Sequence, residues 1–223
     1  EWFEGSIMLT DGSELKGLVK YNNRNGLLAY QDGNDSRVFT PMRVVGFEFF
    51  DESIQKQRVF YTFNLEDSET NIERPLFFEV LKEYKTFAVL AKSDRLDVSQ
   101  KVENSRWSTF NPVTGNYDPM LGPGGSSKLV VSQTETIYLM KATGEIKPYF
   151  KIVKTEDGEK SFVIVGNDTK TKNKMIDRHL LKEFIPSPEF ERLVQYAEEK
   201  DLKFNKKEEF MKIMKYYDEI IAE

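Results

Sequence analysis

The chain has 223 residues, a formal net charge of −5 at pH 7 and no Cys, which excludes disulfides, thiol nucleophiles and thiolate metal sites. Its 39% of hydrophobic and 31% of charged residues are typical of a folded protein with a strongly solvated surface. Lys and Arg are scattered among acids and no apolar run approaches the roughly 18 residues of a membrane span, so we expect neither a broad nucleic-acid surface nor a transmembrane segment.

The chain starts with a predicted β-hairpin. In GSIMLTDGSELKGLVKY, apolar and polar residues alternate on both sides of Asp11-Gly12, a dipeptide that favours the positive φ of a tight turn. Further strand signals are LLAYQ, SRVFT, RVVGFEFF, RVFYTFNL, LFFEVL and TFAVLA. Alternation in RVFYTFNL places four apolar residues on one face: Val59, Tyr61, Phe63 and Leu65. We therefore expect an antiparallel β module over residues 1–98.

The next segment, residues 99–128, is predicted to be a long loop. It contains ENSRWSTFNPVTGNYDPMLGPGGSS, in which Pro and Gly interrupt any strand pattern. Large aromatic side chains on loops are typical recognition anchors. The candidate residues for binding a partner or ligand are Trp107, Phe110, Tyr117 and Met120. The alternative interpretation is that these side chains only pin the loop onto the sheet.

Strands and then helices follow the loop. KLVVSQ, TIYLM, EIKPYF, YFKIVK and KSFVIVG predict a second strand set over residues 129–166. From residue 172 to 223 the apolar period becomes helical, with Ser187 and Asn205 as predicted N-caps and Glu208 completing a capping box. The last helix has a predicted apolar stripe that includes Ile221. The predicted fold is α+β: antiparallel N-terminal and central regions, as small barrels or one curved sheet, with a C-terminal three-helix unit.

Few residues qualify as catalytic. His179 is the single histidine, and its apolar neighbours at helical spacing favour a partly exposed helix residue over a triad or zinc ligand. Glu48 and Glu79 are the acids with the most apolar neighbours, as glycosidase-type carboxylates require. On strands with one solvated face, we expect both to point outward.

Metal and phosphate motifs are incomplete. DGNDS and EDSETNIE are rich in oxygen ligands, but neither matches the EF-hand loop, and turns favour Asp, Asn and Gly for conformational reasons. GPGGSS lacks the Gly-Lys-Ser/Thr ending of a phosphate-binding loop. We expect no metal ion and no cofactor.

Two resemblances add expectations. Residues 5–50 are similar to the Sm-like small-barrel layout, in which a strand and a turn precede an LxGxV strand, here Leu15, Gly17 and Val19, although no counterpart of the Sm RNA-binding loops is found. The whole layout, with its ending LKFNKKEEFMKIMKYY, resembles a group of uncharacterised exported proteins of Gram-negative bacteria. This resemblance implies a periplasmic or secreted location and no known activity. The start at Glu1 without Met fits a processed exported protein or a trimmed chain.

These observations favour a non-enzymatic, exported module that binds a protein or a small ligand. The alternatives are a carboxylate-dependent hydrolase, with glycans as its candidate substrates, and an Sm-like nucleic-acid binder, which the acidic balance disfavours. Exposed strand edges are compatible with a homodimer.

Overall fold

The computed structural model shows an α+β protein in which one antiparallel sheet is followed by three helices. The structure describes residues 1–66, 71–101, 108–110, 117–119, 127–155, 158–165, 168–170 and 178–222. The strands of the first half are β1 (Phe3–Leu9), β2 (Glu14–Asn22), β3 (Leu27–Asp32), β4 (Asp35–Phe39), β5 (Val44–Asp51), β6 (Lys56–Glu66) and β7 (Glu73–Glu83). The later strands are β8 (Phe87–Lys101), β9 (Ser108–Phe110), β10 (Tyr117–Pro119), β11 (Ser127–Lys141), β12 (Ile146–Thr155), β13 (Gly158–Val165) and β14 (Asp168–Lys170).

The main sheet is continuous across both predicted strand sets. Its 12 strands follow the order β14-β13-β12-β11-β8-β7-β6-β5-β1-β2-β3-β4, and β9 and β10 form a separate pair. Among the described residues the outermost strands, β14 and β4, do not pair with each other, so the sheet is open. Of the two arrangements that the sequence allows, the structure therefore has the continuous sheet.

The predicted N-terminal hairpin is confirmed. Strands β1 and β2 pair around Asp11-Gly12, and Gly12 has a φ of +86°. The Asp11 carboxylate accepts hydrogen bonds from the backbone N–H of Ser13 at 2.9 Å and from its hydroxyl at 2.6 Å. The aspartate thus fixes the turn through its side chain as well as its backbone.

The first half of the sheet curls around an aromatic core. The ring of Tyr21 on β2 contacts the rings of Phe47 on β5, Phe60 on β6 and Phe77 on β7, at centroid distances of 5.5, 5.2 and 5.8 Å. Strands β2 and β7 are separated by three other strands in the sheet, so only strong curvature brings these rings together. We call the concave side of this curl the inner face.

Close packing of β1 against its neighbours requires glycine at position 5. A Cβ atom there would lie 2.2 Å from the carbonyl oxygen of Glu48 and 2.8 Å from a methyl group of Val19. We expect Gly5→Ala to destabilise the fold by about 1–3 kcal/mol, because the strands must separate to admit the methyl group. Urea unfolding checks this, with Glu4→Ala on the exposed side of the same strand as the control. Equal stability of the two variants would contradict the close packing.

The convex side of the sheet, its outer face, carries a smaller apolar cluster. Its buried members are Phe78, Ala88, Leu90 and Tyr138. The four β6 residues predicted to share a face lie on this side, where Tyr61 is 44% exposed, whereas the inner face of β6 buries Phe60 to 3%. The shared face is therefore confirmed, but it is the less buried face of β6.

The three predicted C-terminal helices are present, and they pack on the inner face of the second half of the sheet. They are α1 (Arg178–Lys182), α2 (Ser187–Glu199) and α3 (Lys207–Ala222). The ring of Phe210 on α3 contacts the rings of Tyr149 and Phe150 on β12, and the hydroxyl of Tyr84 donates to the carbonyl of Met214 at 2.9 Å. Helices and strands thus share one core.

The helix starts differ from the predictions by one residue or more. Helix α2 starts at Ser187 with Pro186 as the N-cap, because the Pro186 carbonyl accepts the N–H of Phe190, and no side chain caps this end. Near the start of α3, the Glu209 carboxylate, not that of Glu208, bonds to the backbone before the helix. It accepts a hydrogen bond from the N–H of Lys203 at 2.6 Å. The predicted N-cap roles of Ser187 and of Asn205 with Glu208 are therefore wrong.

The predicted loop segment, residues 99–128, contains strand structure. Strand β8 extends into it to Lys101, β11 starts at Ser127, and β9 and β10 lie between them. Strands β8 and β11 pair along 15 residues, from Phe87 opposite Lys141 to Lys101 opposite Ser127. The two predicted strand sets thus pair directly with each other, and this pairing extends into the predicted loop segment at residues 99–101 and 127–128.

Candidate functional site

A cleft of about 160 Å³ opens on the inner face of the curled half of the sheet. Six strands and one turn contribute to its wall. The lining residues are Phe3, Tyr21, Asn23, Phe49, Asp51, Arg58, Phe60, Phe77, Glu79, Ala91, Lys92 and Ser93. Aromatic rings and charged groups therefore meet in one concavity, which is the usual character of a ligand site.

Arg58 lies between two buried acids in this cleft. Its Nε and one terminal nitrogen donate to the two carboxylate oxygens of Glu79 at 3.1 and 2.7 Å, a bidentate ion pair. Its other terminal nitrogen is 3.5 Å from Asp51 Oδ2. Glu79 and Asp51 are each only 6% exposed, so the guanidinium supplies the charge compensation that their burial requires.

Strand register explains how these three residues meet. Arg58 on β6 is opposite Phe49 of β5, two residues before Asp51, and Phe60 of β6 is opposite Glu79 of β7. Because alternate residues share a face, the cation on β6 is diagonal to one acid on each neighbouring strand. The guanidinium carbon also lies 5.6 and 5.2 Å from the ring centroids of Phe49 and Phe60, within range of a cation–π interaction.

Asp51 and Arg58 are both stabilised in their ionised forms. A hydrogen bond from the Ser53 hydroxyl at 2.6 Å, together with the Ser53 N–H and Arg58, outweighs burial and lowers the pKa of Asp51. Burial alone lowers the pKa of Arg58, but the hydrogen bonds and charges of Glu79 and Asp51 outweigh it and raise the pKa. Asp51 and Arg58 therefore remain charged at neutral pH.

We expect Ser53→Ala to raise the pKa of Asp51 toward its ordinary value of about 3.9, because the main hydrogen-bond donor is lost. A lowered folded-state pKa stabilises the fold above the unfolded-state pKa, and this stabilisation is lost as pH falls through the folded-state value. The stability difference between wild type and variant is therefore largest at neutral pH and shrinks below about pH 4. Carboxyl ¹³C NMR titration and urea unfolding measure both effects. Ser53→Thr, which retains a hydroxyl, is the control, and an unchanged Asp51 pKa in Ser53→Ala contradicts the assignment.

Polar groups complete the cleft beside the ion pair. Burial, reinforced by the charge of Asp94, raises the pKa of Tyr21 to about 12, so its phenol stays protonated at neutral pH. Asn23 lies at the rim, half-buried. Lys92 is tied to Asp94 by an ion pair. The cleft thus offers hydrogen-bond donors and acceptors but no uncompensated charge among its described neighbours.

The prediction for Glu79 was wrong, and that for Glu48 is confirmed. Glu48 is exposed on the outer face of β5. Glu79 points inward because the curl of the sheet covers this face of β7, and Arg58 compensates its charge. The prediction assumed one solvated face per strand, which does not hold where a sheet curls around a core.

The predicted aromatic surface is described only in part. Phe110 and Tyr117 are opposite each other in the pairing of β9 with β10, and their side chains lie outside the described residues. Trp107 and Met120 also lie outside the described residues. The proposed role of these four residues stays a prediction. His179 lies in α1, and its side chain is not among those described.

Sequence reasoning missed Arg58 and Asp51 as site residues. The apolar residues of β6 that alternate along its outer face drew the prediction to that face. The residues on the inner face, where Phe60 follows Arg58 two positions later, were therefore overlooked. A charged residue two positions from a Phe on a central strand was the available signal. It points to a site only when the neighbouring strands supply opposite charges in register.

The arrangement suits binding better than acid–base chemistry. General acid catalysis needs a carboxyl that is protonated near neutral pH, whereas Asp51 has a lowered pKa and both Glu79 oxygens accept from Arg58.

Within the described part of the chain, no three metal-binding side chains cluster, and no helix has the length and apolar character needed to cross a membrane. Comparison of the chain with family models, with curated proteins and with solved structures finds no match.

Proposed function

We propose that this protein is a non-enzymatic binding module whose ligand occupies the cleft around Arg58. The observation that supports the proposal is the bidentate Arg58–Glu79 pair, with Asp51 beside it, in a concavity walled by aromatic rings. Such a cluster presents fixed hydrogen-bonding geometry, because its side chains are already held by one another. Pre-organisation of this kind reduces the entropy lost when a ligand binds.

Carboxylate-dependent hydrolysis is the weaker alternative. It requires two carboxyls with different protonation states. The lowered pKa of Asp51 and the engagement of Glu79 by Arg58 leave the pair without an evident acid. We therefore expect the cleft to release its ligand unchanged.

A fragment screen by ¹⁵N NMR tests the proposed function. The probes are anionic, cationic, aromatic and polyhydroxylated small molecules, added to the isotope-labelled full chain. We expect at least one class to shift the backbone resonances of the strands that line the cleft. Ser93→Phe is designed to fill the cleft, and Ser36→Phe on the exposed edge strand β4 is the matched control.

The outcome depends on both variants. Shifts that vanish in folded Ser93→Phe and persist in Ser36→Phe support the cleft as the binding site. Absence of any cleft-localised shift across all classes overturns the proposal. The location outside the cytoplasm is proposed from the resemblance described above, and fractionation of the source cells tests it separately.

A further inference from the structure

The charge balance of the cleft limits the kind of ligand it accepts. Asp51 and Glu79 are compensated by Arg58, and Lys92 by Asp94. An ionic ligand would have to compete with these intramolecular pairs, and separating a buried pair is strongly unfavourable. A ligand without net charge meets no such barrier.

The same groups exclude a purely apolar ligand. Ionised carboxylates accept about four hydrogen bonds each, and a guanidinium donates five. In the described residues Glu79 accepts two from Arg58, and Asp51 accepts two from Ser53. Covering the remaining lone pairs and N–H groups with hydrocarbon would leave them without water and without partners. The ligand must therefore both donate and accept hydrogen bonds.

The aromatic wall adds an apolar surface whose partly exposed rings are Phe3 and Tyr21, since Phe49 is only 3% exposed. The rings of Phe3 and Phe49 stack with centroids 4.7 Å apart and interplanar angle 17°, next to the Arg58 guanidinium. A cleft of about 160 Å³ holds roughly five water molecules at about 30 Å³ each, far less than the volume of a drug-sized ligand site. One small ring fits this description.

We infer that the cleft binds a single neutral sugar ring, whose C–H face packs on the aromatic wall while its hydroxyls bond the Asp51–Arg58–Glu79 cluster and Asn23. Vicinal hydroxyls donate and accept at once, which matches the residual capacity of the carboxylates, guanidinium and amide. The inference rests on the proposed binding function and names the ligand class for it. Asn23 orients the ring from the rim, where no hydrogen bond to another described residue engages its side chain.

Saturation-transfer NMR and calorimetry with monosaccharides test the inference. The probes are the methyl glycosides of glucose, galactose and N-acetylglucosamine at millimolar concentration, with adenosine, acetate and benzamidine as comparison ligands. Asn23→Ala removes one hydrogen bond without touching the ion pair, so we expect affinity to fall about three- to tenfold. Asn64→Ala, an exposed amide on β6 outside the cleft, is the matched control and should bind like wild type.

The pattern of binding among the probes and variants decides between the sugar inference and its alternatives. Binding of a methyl glycoside that weakens in Asn23→Ala but not in Asn64→Ala supports the inference. Binding of adenosine, acetate or benzamidine in the cleft without any glycoside overturns the sugar assignment and leaves the binding function intact. Absence of binding by every probe, together with a blank fragment screen, overturns both. Glycoside binding that Asn23→Ala does not alter places the sugar elsewhere and also overturns the inference.

Discussion

Arg58→Met is expected to destabilise the protein by about 3–5 kcal/mol at neutral pH, because it removes the cation that the buried carboxylates of Asp51 and Glu79 share. The Lys56 ammonium, 49% exposed and 3.9 Å from Glu79 Oε1, compensates Glu79 only in part. Loss of Arg58 removes one of the groups that lower the pKa of Asp51, while the hydrogen bonds from Ser53 remain. The stability difference between wild type and variant is therefore largest at neutral pH and shrinks as pH falls and Asp51 becomes protonated. Urea unfolding at a series of pH values measures this trend.

The exposed pair formed by Arg37 and Asp35 provides the control. Its atoms are 2.6 Å apart, but the two side chains are 52% and 47% exposed. Arg37→Met removes the same charge, and we expect little or no change in stability, because solvent screens an exposed ion pair. Similar losses in the two variants would show that the burial of the cleft pair has no energetic effect. The double variant Arg58→Met/Glu79→Leu should recover part of the lost stability, since it removes one orphaned charge.

Ile213→Ala in helix α3 is the second substitution that we expect to cause a large loss of stability. Ile213 is 0% exposed, and its loss leaves a cavity in the core shared by helices and sheet, so we expect a loss of about 2–5 kcal/mol. Denaturant unfolding followed by far-ultraviolet circular dichroism measures the change. A single transition in both wild type and variant would show that the helices and the sheet unfold together.

Ile221→Ala in the same helix is the matched control. Ile221 was predicted to lie in the apolar stripe, but it is 51% exposed. Both variants replace Ile with Ala and gain the same helix propensity. The difference in stability loss between them therefore measures the effect of burial. We expect Ile221→Ala to change stability by at most about 0.5 kcal/mol. Losses of equal size would contradict the observed orientation of α3.

Local patterns predicted the local parts of the fold. The Asp11-Gly12 hairpin and the helical stripe through Phe210 depend on neighbours within a few residues, and both are confirmed. Cap positions failed because a backbone carbonyl, that of Pro186, starts α2 without help from a side chain. Ile221 was misplaced because helical spacing alone does not distinguish it from Ile220 in the same turn, which is 5% exposed whereas Ile221 is 51% exposed.

The candidate site was beyond the reach of pattern reasoning for a different reason. The cleft depends on the curl of the sheet, which decides whether Phe77 on the inner face of β7 contacts water or Tyr21. It also depends on the register of β5, β6 and β7, which places Arg58 between two acids. Neither quantity is encoded in the alternation of a single strand.

The long pairing of β8 with β11 has a consequence for how this chain tolerates change. Lys101 and Ser127 are directly opposite each other, so whatever joins them leaves and rejoins the sheet at the same point. The entropy of closing a chain segment between two fixed points grows only with the logarithm of its length, by about 0.6 kcal/mol for each doubling. A change in the number of residues between Lys101 and Ser127 therefore costs the sheet little, which makes this position suitable for grafting a foreign peptide.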